Sequence, residues 1–332
     1  MAHSITNHNQ GAFYIAGDWG STHLRLWLVD QATGMVHDHC SGPGIRLLAG
    51  NTADIAATFF QLTDTWRKQF AVQQVLLCGV VGSNIGWQTV DYMPCPISLL
   101  DVPLLPQKVL KKVPQQGPEN NDRAINIHLV PGLNCLREDH IPDSMRGEET
   151  QLIGALLTDP ALSQGEQLVC LPGTHSKWVW LNQGSVGEFI TGLSGELFAV
   201  LEQHSVLFSQ LDATDHNHCP DHFALGIERI ESGSNLIQLL FETRSRQLSG
   251  QLSASAARAF LSGLIIGSDI RGIMQRLNTQ HSEVAFIGKP ELCNYYQSAC
   301  QQLGYNGRII DGEKLVLAGL HFLMQRQFSG KS

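Results

Sequence analysis

Several things are scarce in this chain, and each scarcity narrows its function. No stretch approaches the roughly 20 consecutive apolar residues that a membrane-spanning helix needs, so no membrane partner is expected. Positive charge is short: 22 Lys and Arg stand against 30 Asp and Glu, a formal net charge of −8. Nucleic-acid backbones require a basic surface, so no nucleic-acid partner is expected either. Eight cysteines are present, but none form a C-x-x-C pair. Reduced, mostly buried thiols are therefore expected in place of a disulfide framework. Residues 1–10 (MAHSITNHNQ) lack a basic region followed by an apolar one, which excludes a secretory signal and leaves a cytoplasmic protein as the expectation.

What remains is an ordinary globular composition, 43% hydrophobic and 16% charged. At 332 residues the chain is long for one core, and two domains are expected. Its opening stretch, residues 14–30 (YIAGDWGSTHLRLWLVD), reads as a strand ending at Asp18, a tight turn over residues 19–22, and a second strand from His23. Leu24, Leu26 and Leu28 alternate with Arg25, Trp27 and Val29, the period of a half-buried strand. Residues 35–40 can be a third strand. Asn51 and Thr52 then cap a helix marked by Ile55, Phe59, Leu62, Trp66 and Phe70. Residues 74–78 (QVLLC) read as a short apolar strand with little alternation, as in a strand covered on both faces. The glycine-rich loop 79–87 (GVVGSNIGW) leaves its carboxyl end, where open α/β sheets bind ligands. Residues 106–123 read as a polar surface excursion.

Past Asp159 and Pro160 the order begins again. Residues 167–171, 177–181 and 186–191 are strands separated by turns, and a helix follows from Ser194, the same sequence of elements as in residues 14–70. Thr22-His23-Leu24-Arg25 and Thr174-His175-Ser176-Lys177 both read T-H-x-basic. Matching the threonines sets Cys170 opposite Asp18. Later come a long apolar helix at 254–277, with Gly263 and Gly267 allowing close packing, a strand at 284–287 ending in a turn at Gly288, a helix at 290–303, a strand at 308–310 and a final helix at 313–325. The predicted domains are residues 1–150, 151–312 and a C-terminal helix, 313–332, packing back toward the first lobe.

The turn at Asp18 differs from a P-loop, which needs a lysine inside the motif and a helix next. Its backbone N–H groups and the hydroxyls of Ser21 and Thr22 can reach phosphate oxygens, and Gly20 removes the side chain that would block them. Asp18 can hold Mg²⁺, which takes oxygen ligands and keeps several waters. An ordinary hairpin with a local Asp hydrogen bond is the bland alternative. In the second turn Gly173, Thr174, His175 and Lys177 are suited to donating to phosphate, although a lysine on a strand is often only a solvated face. The strand–glycine–helix at Gly288 suits a nucleotide's sugar or base. Glu148 and Glu149 open a helix between the two repeats. A carboxylate there can take the proton of an attacking hydroxyl, or simply favour the helix dipole. Residues 215–222 (DHNHCPDH) lack zinc-ligand spacing and read as a surface loop.

These residues together resemble the 2-dehydro-3-deoxygalactonokinase family, sugar-acid kinases of the actin/hexokinase/Hsp70 superfamily. The resemblance runs nearly end to end. It rests on D-W-G-S-T-H-L-R at 18–25, G-V-V-G-S-N-I-G-W at 79–87 with Tyr92, Cys95 and Pro96, M-R-G-E-E-T-Q at 145–151, L-P-G-T-H-S-K-W-V at 171–179 and G-E-L-F at 195–198. It implies an α/β fold of two ribonuclease-H-like lobes with MgATP in the cleft. It also implies phosphorylation of the 6-hydroxyl of 2-dehydro-3-deoxy-D-galactonate by ATP, in galactonate breakdown. The similar G-x-E-E run of the exopolyphosphatase branch points to Glu149 as the base. Most of the superfamily carries an acidic second phosphate loop, where this chain has Leu-Pro-Gly-Thr-His. The 83–87 loop, with Ser83, Asn84 and Trp87, is expected to meet substrate hydroxyls. Arg25, Arg46 and Arg146 are the candidates for the substrate carboxylate. A phosphohydrolase or a non-catalytic nucleotide-binding regulator are the rival functions on this fold. The sequence leaves oligomeric state open, a homodimer included.

Overall fold

A computed structural model of the chain describes residues 12–48, 51–102, 125–208, 219–233, 235–276 and 283–328. By contact density it divides into two units: Met1–Leu136 with His140–Ala161 and Lys314–Ser332, and Arg137–Asp139 with Leu162–Glu313. The polar excursion expected at 106–123 lies outside the described residues, as do residues 215–218 of the His-rich stretch.

In the first unit, β1 (Phe13–Trp19) pairs antiparallel with β2 (His23–Asp30), which pairs antiparallel with β3 (Val36–Pro43). On its other side β1 runs parallel to β4 (Val72–Cys78), and β4 to β5 (Asn126–Leu129), giving the order β3-β2-β1-β4-β5. The expected alternation in β2 holds from Leu24 to Leu28 and is corrected at Val29: Leu24, Leu26 and Leu28 are fully buried, His23 is exposed and Arg25 and Trp27 are half-buried, but Val29, grouped with those two, is fully buried as well. These leucines join Ile15, Val75, Leu77 and Phe59 in one core.

One sequence expectation is corrected here. The helix expected to run on to Phe70 breaks at Thr63 into α1 (Thr52–Leu62) and α2 (Asp64–Gln69). The Thr63 hydroxyl donates to the Phe59 carbonyl at 2.8 Å, and such back-bonding competes with the helix ladder. Asn51 does cap α1, its side chain accepting from the Ala53 N–H. A small three-stranded sheet (Met93–Pro94, Leu133–Leu136, Pro142–Met145) leads into α3 (Glu148–Thr158). The final helix, α9 (Glu313–Phe328), also belongs to this unit: a Cβ on Gly319 would lie 2.2 Å from the Thr150 carbonyl oxygen, so α9 and α3 touch backbone to backbone.

The second unit repeats the plan. β6 (Glu166–Leu171), β7 (Ser176–Asn182) and β8 (Ser185–Gly192) form an antiparallel run. β6 also pairs parallel with β9 (Glu283–Gly288), and β9 with β10 (Asn306–Asp311), so the order is β10-β9-β6-β7-β8. Written from the hairpin outward, both units read third, second, first, fourth, fifth strand: two similar units, as the repeat implies, in the ribonuclease-H-like order that the family resemblance implies. Helices α5 (Pro220–Glu231), α7 (Ala254–Arg276) and α8 (Pro290–Gln302) share a core with the second unit's sheet, and α4 (Ser194–His204) and α6 (Leu236–Leu248) share a second core with α7. The surface loop expected at 215–222 is corrected at its end: Pro220–His222 form the first turn of α5, whose Phe223, Ile227 and Ile230 are buried. A Cβ on Gly263 would come within 2.1 Å of the Phe223 carbonyl oxygen, so the glycine is what lets α7 meet α5 so closely. All eight cysteines are free, five of them buried. Among the described residues no helix is long and apolar enough to cross a membrane.

Candidate active site

In the first unit three backbone segments converge on the carboxyl end of β1. The first is the turn after Asp18. Its Gly20, Ser21 and Thr22 carbonyls accept from the Ile45, Arg46 and Gly44 amides at 3.0–3.2 Å, and Gly20 N–H donates to His23. The turn is thus braced from behind, with Thr22 exposed and Ser21 half-buried. The second is Gly79, at φ +93, where a Cβ would stand 2.7 Å from the Trp19 carbonyl oxygen and 3.3 Å from Asp18 Oδ1. The third is Gly147, at φ +108, where a Cβ would come 3.3 Å from the Gly79 Cα. Two left-handed glycines back to back allow the acid of β1 and the acids of α3 into one region.

Asp18 is one-fifth exposed and takes a 2.6 Å ion pair from Arg25, its register partner on β2. Arg25 is therefore committed to Asp18 and also lies over Trp27, 5.7 Å from the ring centroid. Glu148 Oε2 accepts from the Arg146 N–H at 2.9 Å. Glu149 is fully buried, its Oε2 accepting from the Gly147 N–H at 2.6 Å and its Oε1 from the Thr150 hydroxyl at 3.0 Å. Burial, then the neighbouring Glu148 charge, push its carboxyl up to about 8. An acid tuned close to neutral pH fits a general base far better than an ordinary helix-capping glutamate.

The residues expected to meet substrate separate. Trp87 is only 8% exposed and packs among Phe59, Phe60 and Trp19, with centroids 5.5–6.4 Å away, so its ring belongs to the core and the expectation that it touches substrate is corrected. Asn84 is exposed and Ser83 half-buried, with a buried hydroxyl oxygen lacking any hydrogen-bond partner. The Arg146 guanidinium stacks on Tyr92, 4.2 Å from the ring centroid, and its Nη2 donates to the Val90 carbonyl at 2.7 Å. Its Nε and Nη1 are buried with no acceptor, and Nη1 lies 2.9 Å from where a Cβ on Gly82 would stand.

In the second unit the turn after β6 carries the corresponding residues. The hairpin register sets Leu171 opposite Lys177, where β1 and β2 set Asp18 opposite Arg25. Leu171, not Cys170, thus holds the place of Asp18, because five residues separate Leu171 from Lys177 where six separate Asp18 from Arg25. Lys177 is 6% exposed and its Nζ donates to the Thr191 hydroxyl at 2.8 Å, an anchorage that argues against its expected phosphate contact and against a solvated face. Gly173, Thr174 and His175 remain on the accessible side of the turn. His175 Nε2 meets Glu196 Oε2 at 2.5 Å, and the Glu196 N–H donates to the Thr174 carbonyl at 2.8 Å, tying the turn to α4. Gly288 joins them, since a Cβ there would be 3.4 Å from the Pro172 carbonyl oxygen. Beside Gly173 opens a largely apolar cavity of about 370 Å³ lined by Phe198, Ile265, Leu292, Tyr295 and Tyr296. It is a fitting slot for a flat aromatic ligand next to a phosphate turn.

The sequence reading missed Asp269, on α7, whose carboxylate collects four hydrogen bonds from around this cavity. The available signal was one acid on a helix face otherwise built of Ile266, Ile270 and Ile273. Among the described residues no group of three or more His, Cys, Asp or Glu could hold a metal ion by itself. A single carboxylate such as Asp18 fits only a cation that takes its other ligands from phosphates and water, as Mg²⁺ does.

A model of the 2-keto-3-deoxy-galactonokinase family matches residues 18–323, enclosing both turns and the α3 carboxylates. The chain belongs to that family. It is 32% identical over 314 residues to the 2-dehydro-3-deoxygalactonokinase of Escherichia coli (strain K12), covering 93% of this chain and 96% of the relative. It is 31% identical over 325 residues to a probable 2-dehydro-3-deoxygalactonokinase of Rhizobium meliloti (strain 1021), covering 93% and 95%. Among solved structures, a Sinorhizobium meliloti protein provisionally named a 2-dehydro-3-deoxygalactonokinase superposes with a TM-score of 0.79 at 30% identity, covering 95% of this chain and 99% of that one. Family membership accords with the fold: a mixed α/β chain with two units of like strand order.

Proposed function

We propose that this kinase transfers the γ-phosphoryl group of ATP to the 6-hydroxyl of 2-dehydro-3-deoxy-D-galactonate, giving the 6-phosphate and ADP in galactonate breakdown. The observation that carries the reading is the family match over residues 18–323, because it spans every element of the two sites. The second unit takes the nucleotide, its base in the apolar cavity beside Tyr295 and its phosphates at the Gly173 and Thr174 N–H groups. The first unit takes the sugar acid. Glu149 accepts the 6-hydroxyl proton as the new O–P bond forms and the bond to the β-phosphate oxygen breaks, with ADP leaving on that oxygen. Because Glu149 is fully buried, the hydroxyl reaches it only after the chain around it opens. Mg²⁺, held by Asp18, phosphate oxygens and water, would neutralise charge on the phosphates; Arg25 would then yield one Asp18 oxygen.

Between Arg25 and Arg146, Arg146 has the unspent donors. Arg25 is paired with Asp18, whereas Nε and Nη1 of Arg146, the latter beside Gly82, have no acceptor. A substrate carboxylate supplies what those groups lack, and a guanidinium can bind it bidentately. The decisive assay is ADP release with and without the sugar acid. Dependence on the sugar acid is expected; release that ignores it would indicate hydrolysis, and no release would indicate a binding protein.

A further inference from the structure

Asp269 lies on α7, outside every motif of the chain, yet it is the most heavily bonded carboxylate beside the nucleotide cavity. Its Oδ2 accepts from the hydroxyls of Ser176 and Ser194, each at 2.7 Å, and of Tyr296 at 2.9 Å. Its Oδ1 accepts from Trp178 Nε1 at 3.2 Å. The donors come from three other elements: β7 supplies Ser176 and Trp178, α4 supplies Ser194, and α8 supplies Tyr296. β8 ends in Gly192, where a Cβ would stand 2.7 Å from Asp269 Oδ1, so the backbone there leaves room for the carboxylate.

Filling this place with a residue like its neighbours Ile266 and Ile270 would avoid the cost of desolvating a charge. What the carboxylate supplies instead is direction. Ser176 directly follows His175 in the Pro172–Ser176 turn. Ser194 starts the helix whose Gly195 abuts the turn, since a Cβ there would be 2.3 Å from the Gly173 carbonyl oxygen. Ser194 and Tyr296 both line the cavity with Gly173. One side chain therefore fixes the turn, the helix start behind it and one wall of the cavity relative to each other.

We propose that Asp269 is a positioning residue for the nucleotide, holding the Gly173 and Thr174 N–H groups at the spacing from the cavity that ATP requires. This rests on reading that turn and cavity as the nucleotide site. In Asp269→Asn the amide nitrogen offers two hydrogens and no acceptor to three hydroxyls, or, flipped, leaves Trp178 without its acceptor. Either way the hub loosens while the volume is kept.

The test measures ATP and ADP affinity by titration calorimetry without sugar acid, alongside both KM values and thermal stability. Asp269→Asn is expected to weaken nucleotide binding by about tenfold, as for loss of hydrogen bonds to a charged group. Its KM for the sugar acid should stay within about twofold. Tyr296→Phe and Ser194→Ala each remove one donor, should weaken nucleotide binding by about threefold, and should add little in the Asp269→Asn background. If Asp269→Asn does not fold, these two single variants carry the test. Wild-type nucleotide affinity in folded Asp269→Asn, or in both single variants, would overturn the proposal even if stability falls. Failure of the wild type to bind nucleotide would overturn the functional reading first, and this inference with it.

Discussion

Replacing Glu149 by glutamine should make the protein relatively more stable as pH rises while stopping its chemistry. The carboxyl is fully buried and pushed up from 4.5 to about 8 by burial and by Glu148. Between those values the folded state keeps a proton that the unfolded state has released. Unfolding therefore loses a proton, and stability falls as pH climbs through that window, flattening above about 8. Each unit of separation is worth about 1.4 kcal/mol, so from pH 5 to pH 7 the wild type should lose about 3 kcal/mol relative to Glu149→Gln. The glutamine forfeits one of two acceptors, for Gly147 N–H or the Thr150 hydroxyl, a pH-independent offset of about 1 kcal/mol. Paired denaturant unfolding at pH 5, 6, 7 and 8 reads the difference directly. The two stability curves should diverge steadily with pH while turnover in the variant falls by about a hundredfold or more. Wild-type kcat/KM should rise with pH, stand at half its maximum near pH 8 and level off above it, as the base loses its proton. Parallel stability curves, a constant offset at every pH, would show that Glu149 titrates as an ordinary glutamate and would remove the argument for it as the base.

Other substitutions separate roles that the sequence left together. Asp18→Asn should cut kcat by about a hundredfold or more, as for a lost metal ligand, yet lower stability by only about 1 kcal/mol because the Arg25 pair is partly exposed; steady-state kinetics at several Mg²⁺ concentrations would show whether metal partly restores the rate. Arg146→Lys should raise the KM for the sugar acid by about tenfold with the ATP KM unchanged, since lysine cannot bind a carboxylate bidentately; a shift in the ATP KM instead would place Arg146 elsewhere in the mechanism. Trp87→Ala should cost about 3–5 kcal/mol of stability by opening a cavity in the first core; loss of sugar-acid affinity without loss of stability would return Trp87 to the substrate loop.

Much of the fold was legible because its periodicities are strong. The leucine alternation of β2, the apolar run Val75–Cys78 of β4 and the Asn51 cap of α1 each dictated a local structure that the coordinates contain. Helices α5 and α6 went unread although their signals were present: Phe223, Ile227 and Ile230 recur helically, and Asn235 caps α6 by accepting from Ile237 N–H. The polar, His-rich stretch before Pro220 suggested a loop and masked the start. The strands at 93–94, 133–136 and 142–145 are too short for alternation to appear. At the site, residue types identified acids and hydroxyls but not their commitments. That Arg25 is spent on Asp18, that Trp87 faces the core and that Asp269 collects four donors are facts of tertiary register, which no local pattern carries.

The two hairpins show how register turns a repeated motif to different uses. In both, a basic residue follows Thr-His-x and enters the second strand of the unit. In the first hairpin the strand opposite supplies Asp18, so Arg25 turns to it across the β1–β2 pair. In the second the same register position is Leu171, which can accept nothing. Lys177 turns to the other neighbour, β8, where Thr191 is its register partner and takes its ammonium. With no acid opposite it, the facing cation is thus held away from the turn, where the Glu196 carboxylate of α4 meets His175 instead. The first turn thus keeps an acid, Asp18, paired with its facing arginine, and the second has no carboxylate at that register position.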